Sequence, residues 1–98
     1  MKQGLKASTE HMVVYLNRDT NQSQVRFGIV VGKTVGNAVQ RNLVKRRARA
    51  VLMAKIDLLQ AGSDLVLRAL PGLAEISWSE FNQELDSSLT RLASKAAK

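Results

Sequence analysis

The rhythm of apolar and polar residues changes repeatedly along this chain, and each change marks an element. From His11, the residues Met12, Val14 and Leu16 alternate with Val13 and Tyr15, the period of two that sends successive side chains to opposite faces of a strand. A polar stretch from Asn17 to Gln24 interrupts it and reads as a loop. A second alternation follows, with Val25, Phe27, Ile29 and Val31 set against Arg26, Gly28, Val30 and Gly32. The two strands are expected to pair as an antiparallel hairpin with one face on the core. The other face then carries Tyr15, Arg26 and the bare backbone of Gly28, an uncommon set for a solvent side.

At Gly36-Asn37 the period lengthens. Asn37 is a good N-cap, and Gln40 three residues on completes a capping box, so a helix is expected from there to about Ala61, with Gly62 as its stop. Turning about 100° per residue from Arg41, the residues Lys45, Arg49, Asn42 and Arg46 spread over roughly 140° of arc. Leu43, Val44, Ala50, Val51, Ala54 and Leu58 take much of the opposite side, with Arg47 among them, either snorkelling or marking an edge of the buried stripe. Asp64 to Ala69, bounded by Gly62 and Pro71-Gly72, suits a buried strand of the same sheet. A last helix opens with Ser77 as N-cap, Glu80 at its third position and Ile76 placed to staple Phe81. Its stripe of Trp78, Phe81, Leu85, Leu89 and Leu92 is expected to pack on the sheet. Residues 1–10 read as a flexible lead-in or a short edge segment, and 94–98 are expected to fray. With 98 residues, one domain with one modest core is expected.

Charge changes the picture locally. The stretch Lys33 to Arg49 holds Lys33, Arg41, Lys45, Arg46, Arg47 and Arg49 without an acid. Elsewhere nine Lys or Arg face eight Asp or Glu, so all but one unit of the formal +7 lies in that stretch. Solvated helix faces ordinarily mix signs, whereas Arg41, Lys45 and Arg49 repel one another with no offsetting acid. With a pI near 10.4, such a face points to a polyanion. Nucleic acid is favoured over membrane, because no Trp or Phe flanks the cations for interfacial anchoring. RNA suits it well: an A-form helix hides its base edges and is read through phosphates and 2′-hydroxyls, which Arg and Asn contact readily.

Other chemistry finds little support. No cysteine and a single histidine, His11, leave a zinc centre or a His-based catalytic pair almost nothing to draw on. Gly28 to Thr34 imitates the end of a phosphate loop, yet three residues separate its glycines, inside a predicted strand, where a nucleotide loop needs four. Glu75, Glu80, Glu84 and Asp86 read as capping and solvation of the last helix, and His11 as structural. No catalytic residue, metal ligand or protein-held cofactor is therefore expected. Tyr15 is either a packed strand residue or a stacking platform for an unpaired base, with Arg26 near enough to engage phosphate. No run approaches the roughly 20 apolar residues of a membrane span, and the first residues lack a secretory core, so a cytoplasmic location is expected.

The spacing Lys33-x-x-Gly36-Asn37-Ala38-x-x-Arg41-Asn42-x-x-Lys45-Arg46-x-x-Arg49, after the strand Arg26-Phe27-Gly28-Ile29-Val30-Val31, resembles the signature of the bacterial ribonuclease P protein family. Weaker similarity continues through Asp64–Ala69 and the last helix. The resemblance implies a small α/β fold: an α+β two-layer sandwich with a small mixed sheet, a central basic helix in a left-handed β-α-β crossover and a C-terminal amphipathic helix. It implies a subunit that is not itself the catalyst. The RNA subunit, with magnesium, removes the 5′ leader of precursor tRNA, and the protein helps bind substrate and metal. Lys33, Asn37, Arg41, Asn42, Lys45, Arg46 and Arg49 would lie on or beside the catalytic RNA, with Tyr15 and Arg26 toward the single-stranded leader. The family's Arg-Asn-Arg triplet stands here as Arg41-Asn42-Leu43, one cation fewer. Relatives begin with a basic helix bearing paired aromatics, which this chain is expected to lack. Reduced stability, or self-association through the apolar surface left bare, is expected in consequence. The competing reading is a stand-alone RNA-binding module of ribosomal type; an independent enzyme ranks third.

Overall fold

The computed structural model describes residues 4–18, 24–55, 57, 59 and 61–96. Two strands joined by a turn open the chain, β1 (Leu5–Ser8) and β2 (Met12–Arg18), paired antiparallel with Leu5 opposite Leu16 and Ser8 opposite Val13. For residues 5–8 the edge-segment reading therefore holds. β3 (Arg26–Val30) is followed by a 3-10 turn over Lys33–Val35, then helix α1 (Ala38–Lys55) and strand β4 (Ser63–Ala69). A second 3-10 turn, Leu73–Glu75, leads into helix α2 (Trp78–Ala96). Residues 94–96, expected to fray, continue α2, while 97 and 98 lie outside the described residues.

The strand order is β1-β2-β4-β3, with β4 antiparallel to β2 and parallel to β3. This corrects the expected hairpin of β2 with β3, because β4 lies between them. A connection longer than a two-residue turn does not force neighbouring strands together. β4 fits the interior because Leu65, Leu67 and Ala69 are buried on one face while Val66 fills the other. The β3-α1-β4 segment is thus a crossover between adjacent parallel strands.

Both helices cover one face of the sheet. Met12, Val14, Leu16, Leu65, Leu67 and Ala69 meet Val44, Ala48, Val51 and Leu52 of α1 and Phe81, Leu85, Leu89 and Leu92 of α2 in one core, with Phe27 and Ile29 partly buried beside it. α2 lies over β1 and β2, and α1 over β3. On the opposite face, Lys6, Arg26, Gly28, Val30 and Arg68 are exposed, and Val13, Tyr15, Asn17, Asp64 and Val66 half-buried.

The capping box of α1 forms as expected: Gln40 N–H donates to Asn37 Oδ1 and Asn37 N–H to Gln40 Oε1, each at 2.9 Å. It also explains Gly36. Its φ is 157°, and a Cβ there would press on the folded-back Gln40 side chain, whose Cδ would lie 2.8 Å away. The helix ends at Lys55, short of Ala61, and it is rotated from the expected orientation. Val44, Ala48, Val51 and Leu52 face the core, whereas Ala50 and Ala54 are exposed and Leu43 is half-buried; Leu58 lies outside the described residues. Alanine gains little from burial, so the larger Val44, Val51 and Leu52 set the rotation.

In α2, Ser77 Oγ accepts from Glu80 N–H at 3.1 Å, as a cap should. Trp78 departs from the expected stripe, remaining 44% exposed and stacked on Phe81 at 5.9 Å between centroids. Ser88 joins the buried stripe, its hydroxyl satisfied by Glu84 O at 2.9 Å. Near the C-terminal end, Arg91 and Lys95 donate to the carbonyls of Ser8 and Lys6, each at 3.0 Å. They occupy acceptors on the β1 edge that would otherwise invite another strand.

Glu84 does more than solvate its helix. Its Oε1 accepts from Thr9 Oγ1 at 2.5 Å and from His11 N–H at 3.2 Å, and its Oε2 lies 2.7 Å from His11 Nδ1. The hydrogen bond to Glu84 is the main influence on the His11 ring and outweighs desolvation, holding its pKa above the ordinary 6.5. Burial pushes Glu84 upward, but the donors from Thr9 and His11 together overcome it and leave its pKa below 4.5.

Candidate nucleic-acid interface

The rigid frame of α1 sets out the cations. Its buried stripe points at the sheet, so Asn42, Lys45, Arg46 and Arg49 emerge exposed, and with Val39 they line one shallow groove. Val39 is 76% exposed, and its place among the cations was not foreseen from the sequence. The available signal was spacing: three and seven residues separate it from Asn42 and Arg46, which puts all three along one side of a helix. A polyanion in this groove would meet charge, an amide and one apolar side chain.

Lys33, Asn37 and Arg41 lie outside the lining. Lys33 is exposed in the 3-10 turn that leads to the helix. Asn37 is exposed, but its Oδ1 is engaged by the cap. Arg41 is half-buried, its Nε enclosed with no hydrogen-bond partner among the described residues. Arg47 is withdrawn from the face altogether. Its Nη1 donates to Ile76 O at 3.2 Å and its guanidinium carbon lies 5.6 Å from the Trp78 ring centre, so this cation joins α1 to the start of α2.

The field of the groove is uncompensated. Ion pairs among the described residues are His11–Glu84, Arg26–Asp64 and Lys55–Asp86, and none of them uses Lys33, Arg41, Lys45, Arg46 or Arg49. The first turn of α1 contains no acid, so the positive end of the helix dipole adds to the same potential. Such an arrangement opposes folding slightly and favours phosphate.

A second surface is the uncovered face of the sheet. In register across it run Lys6, Tyr15, Val66 and Gly28, flanked on one side by Asn17, Asp64 and Arg26 and on the other by Ser8, Val13, Arg68 and Val30. Tyr15 and Arg26 share this face, with β4 standing between their strands. Arg26 is not a free cation, because it is ion-paired to Asp64. Lys6 and Arg68, by contrast, are exposed cations that the sequence reading did not single out. Their position depends on strand pairing, which local pattern does not reveal.

The family model described as Ribonuclease P matches residues 1–93. A Ribonuclease P protein component from Clavibacter michiganensis is 35% identical over 91 residues, spanning 93% of this chain and 80% of that protein. One from Mycobacterium avium is 41% identical, spanning 94% and 81%. Among solved structures, the RNase P protein of Staphylococcus aureus superposes with a TM-score of 0.82 at 27% identity, covering 91% of this chain and 81% of that one. The RNase P protein of Thermotoga maritima gives 0.76 at 26% identity, with 94% and 84% covered.

Proposed function

The chain belongs to the ribonuclease P protein family and is a protein subunit of that ribonucleoprotein endoribonuclease; we propose that it docks on the ribonuclease P RNA through α1 and receives the 5′ leader of precursor tRNA on its open sheet face. The observation that carries the docking half is the acid-free groove of Asn42, Lys45, Arg46 and Arg49 on a helix fixed by its buried stripe. Phosphates and 2′-hydroxyls of a folded RNA are the groups that guanidinium, ammonium and amide side chains recognise. Lys33, at the approach to the helix, extends the same field. Tyr15, half-buried between Lys6 and Val66, offers a ring for an unpaired leader base. Strand cleavage belongs to the RNA and its magnesium, and the protein contributes binding, in the cytoplasm.

Adding the chain to a bacterial ribonuclease P RNA and labelled precursor tRNA at low magnesium tests this. Cleavage restored only when both protein and RNA are present is the expected outcome. Tight RNA binding without restored cleavage would reduce the protein to a binding module, and cleavage by the protein alone would overturn the assignment of chemistry to the RNA.

A further inference from the structure

One acid stands on the open sheet face. Asp64 of β4 shares that face with Lys6, Tyr15, Arg26 and Arg68, and it is the single carboxylate among the described strand residues there. In the parallel register it lies opposite Arg26 and holds it at two points, Nε donating to Oδ1 and Nη2 to Oδ2, each at 3.0 Å. With side chains 53% and 35% exposed, the pair adds little to stability. Its geometry, however, is the two-point fork with which a guanidinium grips phosphate. Arg26 is therefore already engaged, and a phosphodiester arriving beside it meets a carboxylate of its own sign. A face selected for charge alone would bind better without Asp64.

We infer that Asp64 masks Arg26 and thereby sets the selectivity of the open face, favouring single strands that stack a base over polyanions that offer only charge. The inference rests on the reading of this face as the leader site. Val66 lies opposite both Tyr15 and Gly28, and a Cβ on Gly28 would meet nothing within 4 Å, so the centre of the face is open and apolar. A flat base gains contact there that a duplex, with its bases stacked inside, does not. The carboxylate subtracts more from a duplex, whose two backbones crowd phosphate charge against it, than from a single strand of lower charge density. Stacking survives that subtraction, and charge alone does not.

The test uses the full chain with Lys45→Ala, Arg46→Ala and Arg49→Ala throughout, to remove binding at the α1 groove. It measures affinity for a labelled single-stranded RNA and for an RNA duplex across a salt series. Asp64→Asn is expected to tighten duplex binding about fivefold at low salt and to steepen its salt slope by roughly one phosphate's worth. The single strand should tighten less, so the ratio between the two falls. Arg26→Ala should weaken binding in the background that keeps Asp64, where it leaves the carboxylate unpaired, but by less than in the Asp64→Asn background, where it also abolishes the gain. Asp64→Ser, which also removes the carboxylate, should repeat the result and excludes a peculiarity of the asparagine. Unchanged affinities and slopes in both Asp64 variants, or an Arg26→Ala effect of equal size with and without Asp64, would overturn the inference. Tyr15→Ala separates it from its premise. Lost single-strand affinity in that variant, with no effect at Asp64, sinks the mask alone; undiminished affinity sinks the leader-site reading with it.

Discussion

His11 Nδ1 lies 2.7 Å from Glu84 Oε2 although 73 residues separate them, and the contact fastens the turn between β1 and β2 to the middle of α2. The raised His11 pKa means a contribution that is complete below pH 6.5 and is lost as pH climbs through the folded-state value. The lowered Glu84 pKa means one that is present above pH 4.5 and is lost as pH falls through its own folded-state value. The two overlap between 4.5 and 6.5. Glu84→Gln is therefore expected to destabilise the chain most in that window, by roughly 1–3 kcal/mol, with a smaller deficit on either side. Urea unfolding at a series of pH values checks it; a deficit independent of pH would count against the ion pair.

Gly36→Ala is expected to lower stability by about 0.5–2 kcal/mol, because the new methyl displaces the Gln40 side chain from the cap of α1. Adding Gln40→Ala should then cost little more, since both changes remove the same bond. A thermal-unfolding cycle with the two single variants and the double one reads this coupling directly.

Two neighbouring arginines should separate cleanly. Arg46→Ala is expected to leave thermal stability almost unchanged while reducing the salt dependence of binding to ribonuclease P RNA by about one unit for each lost phosphate contact. Arg47→Ala should do the reverse, lowering the thermal midpoint through loss of the Ile76 and Trp78 contacts with little change in salt slope. Salt-series binding and thermal melts on both variants distinguish the roles.

Tyr15→Ala is expected to weaken precursor tRNA by about 1–3 kcal/mol relative to mature tRNA in the complex with the catalytic RNA. A loss shared equally by both substrates would make Tyr15 a packing residue instead.

Local pattern carried much of this molecule. Alternation placed Met12, Val14 and Leu16 on the buried side of β2 and Tyr15 on the other, and Asn37 and Ser77 marked their helix starts. These succeed because a strand's period of two and a capping residue's reach are properties of a few consecutive residues. The cationic character of α1 was equally legible, since no acid lies within it to be paired. Its rotation was not: Ala50 and Ala54 looked buried on the helical wheel, and only packing of Val44, Val51 and Leu52 against the sheet decided the face.

By itself, then, the sequence determined the strand faces, the helix caps, the acid-free helix and the family spacing from Lys33 to Arg49. Tertiary structure decided which strands are neighbours, and with that the pairing of Arg26 to Asp64, the row that joins Lys6 to Tyr15 and the grip of Glu84 on His11. It also decided that Arg47 serves packing while Arg46 faces outward. The physical reason is common to all of these. Each depends on groups far apart in the chain, and their meeting is set by how the whole core closes.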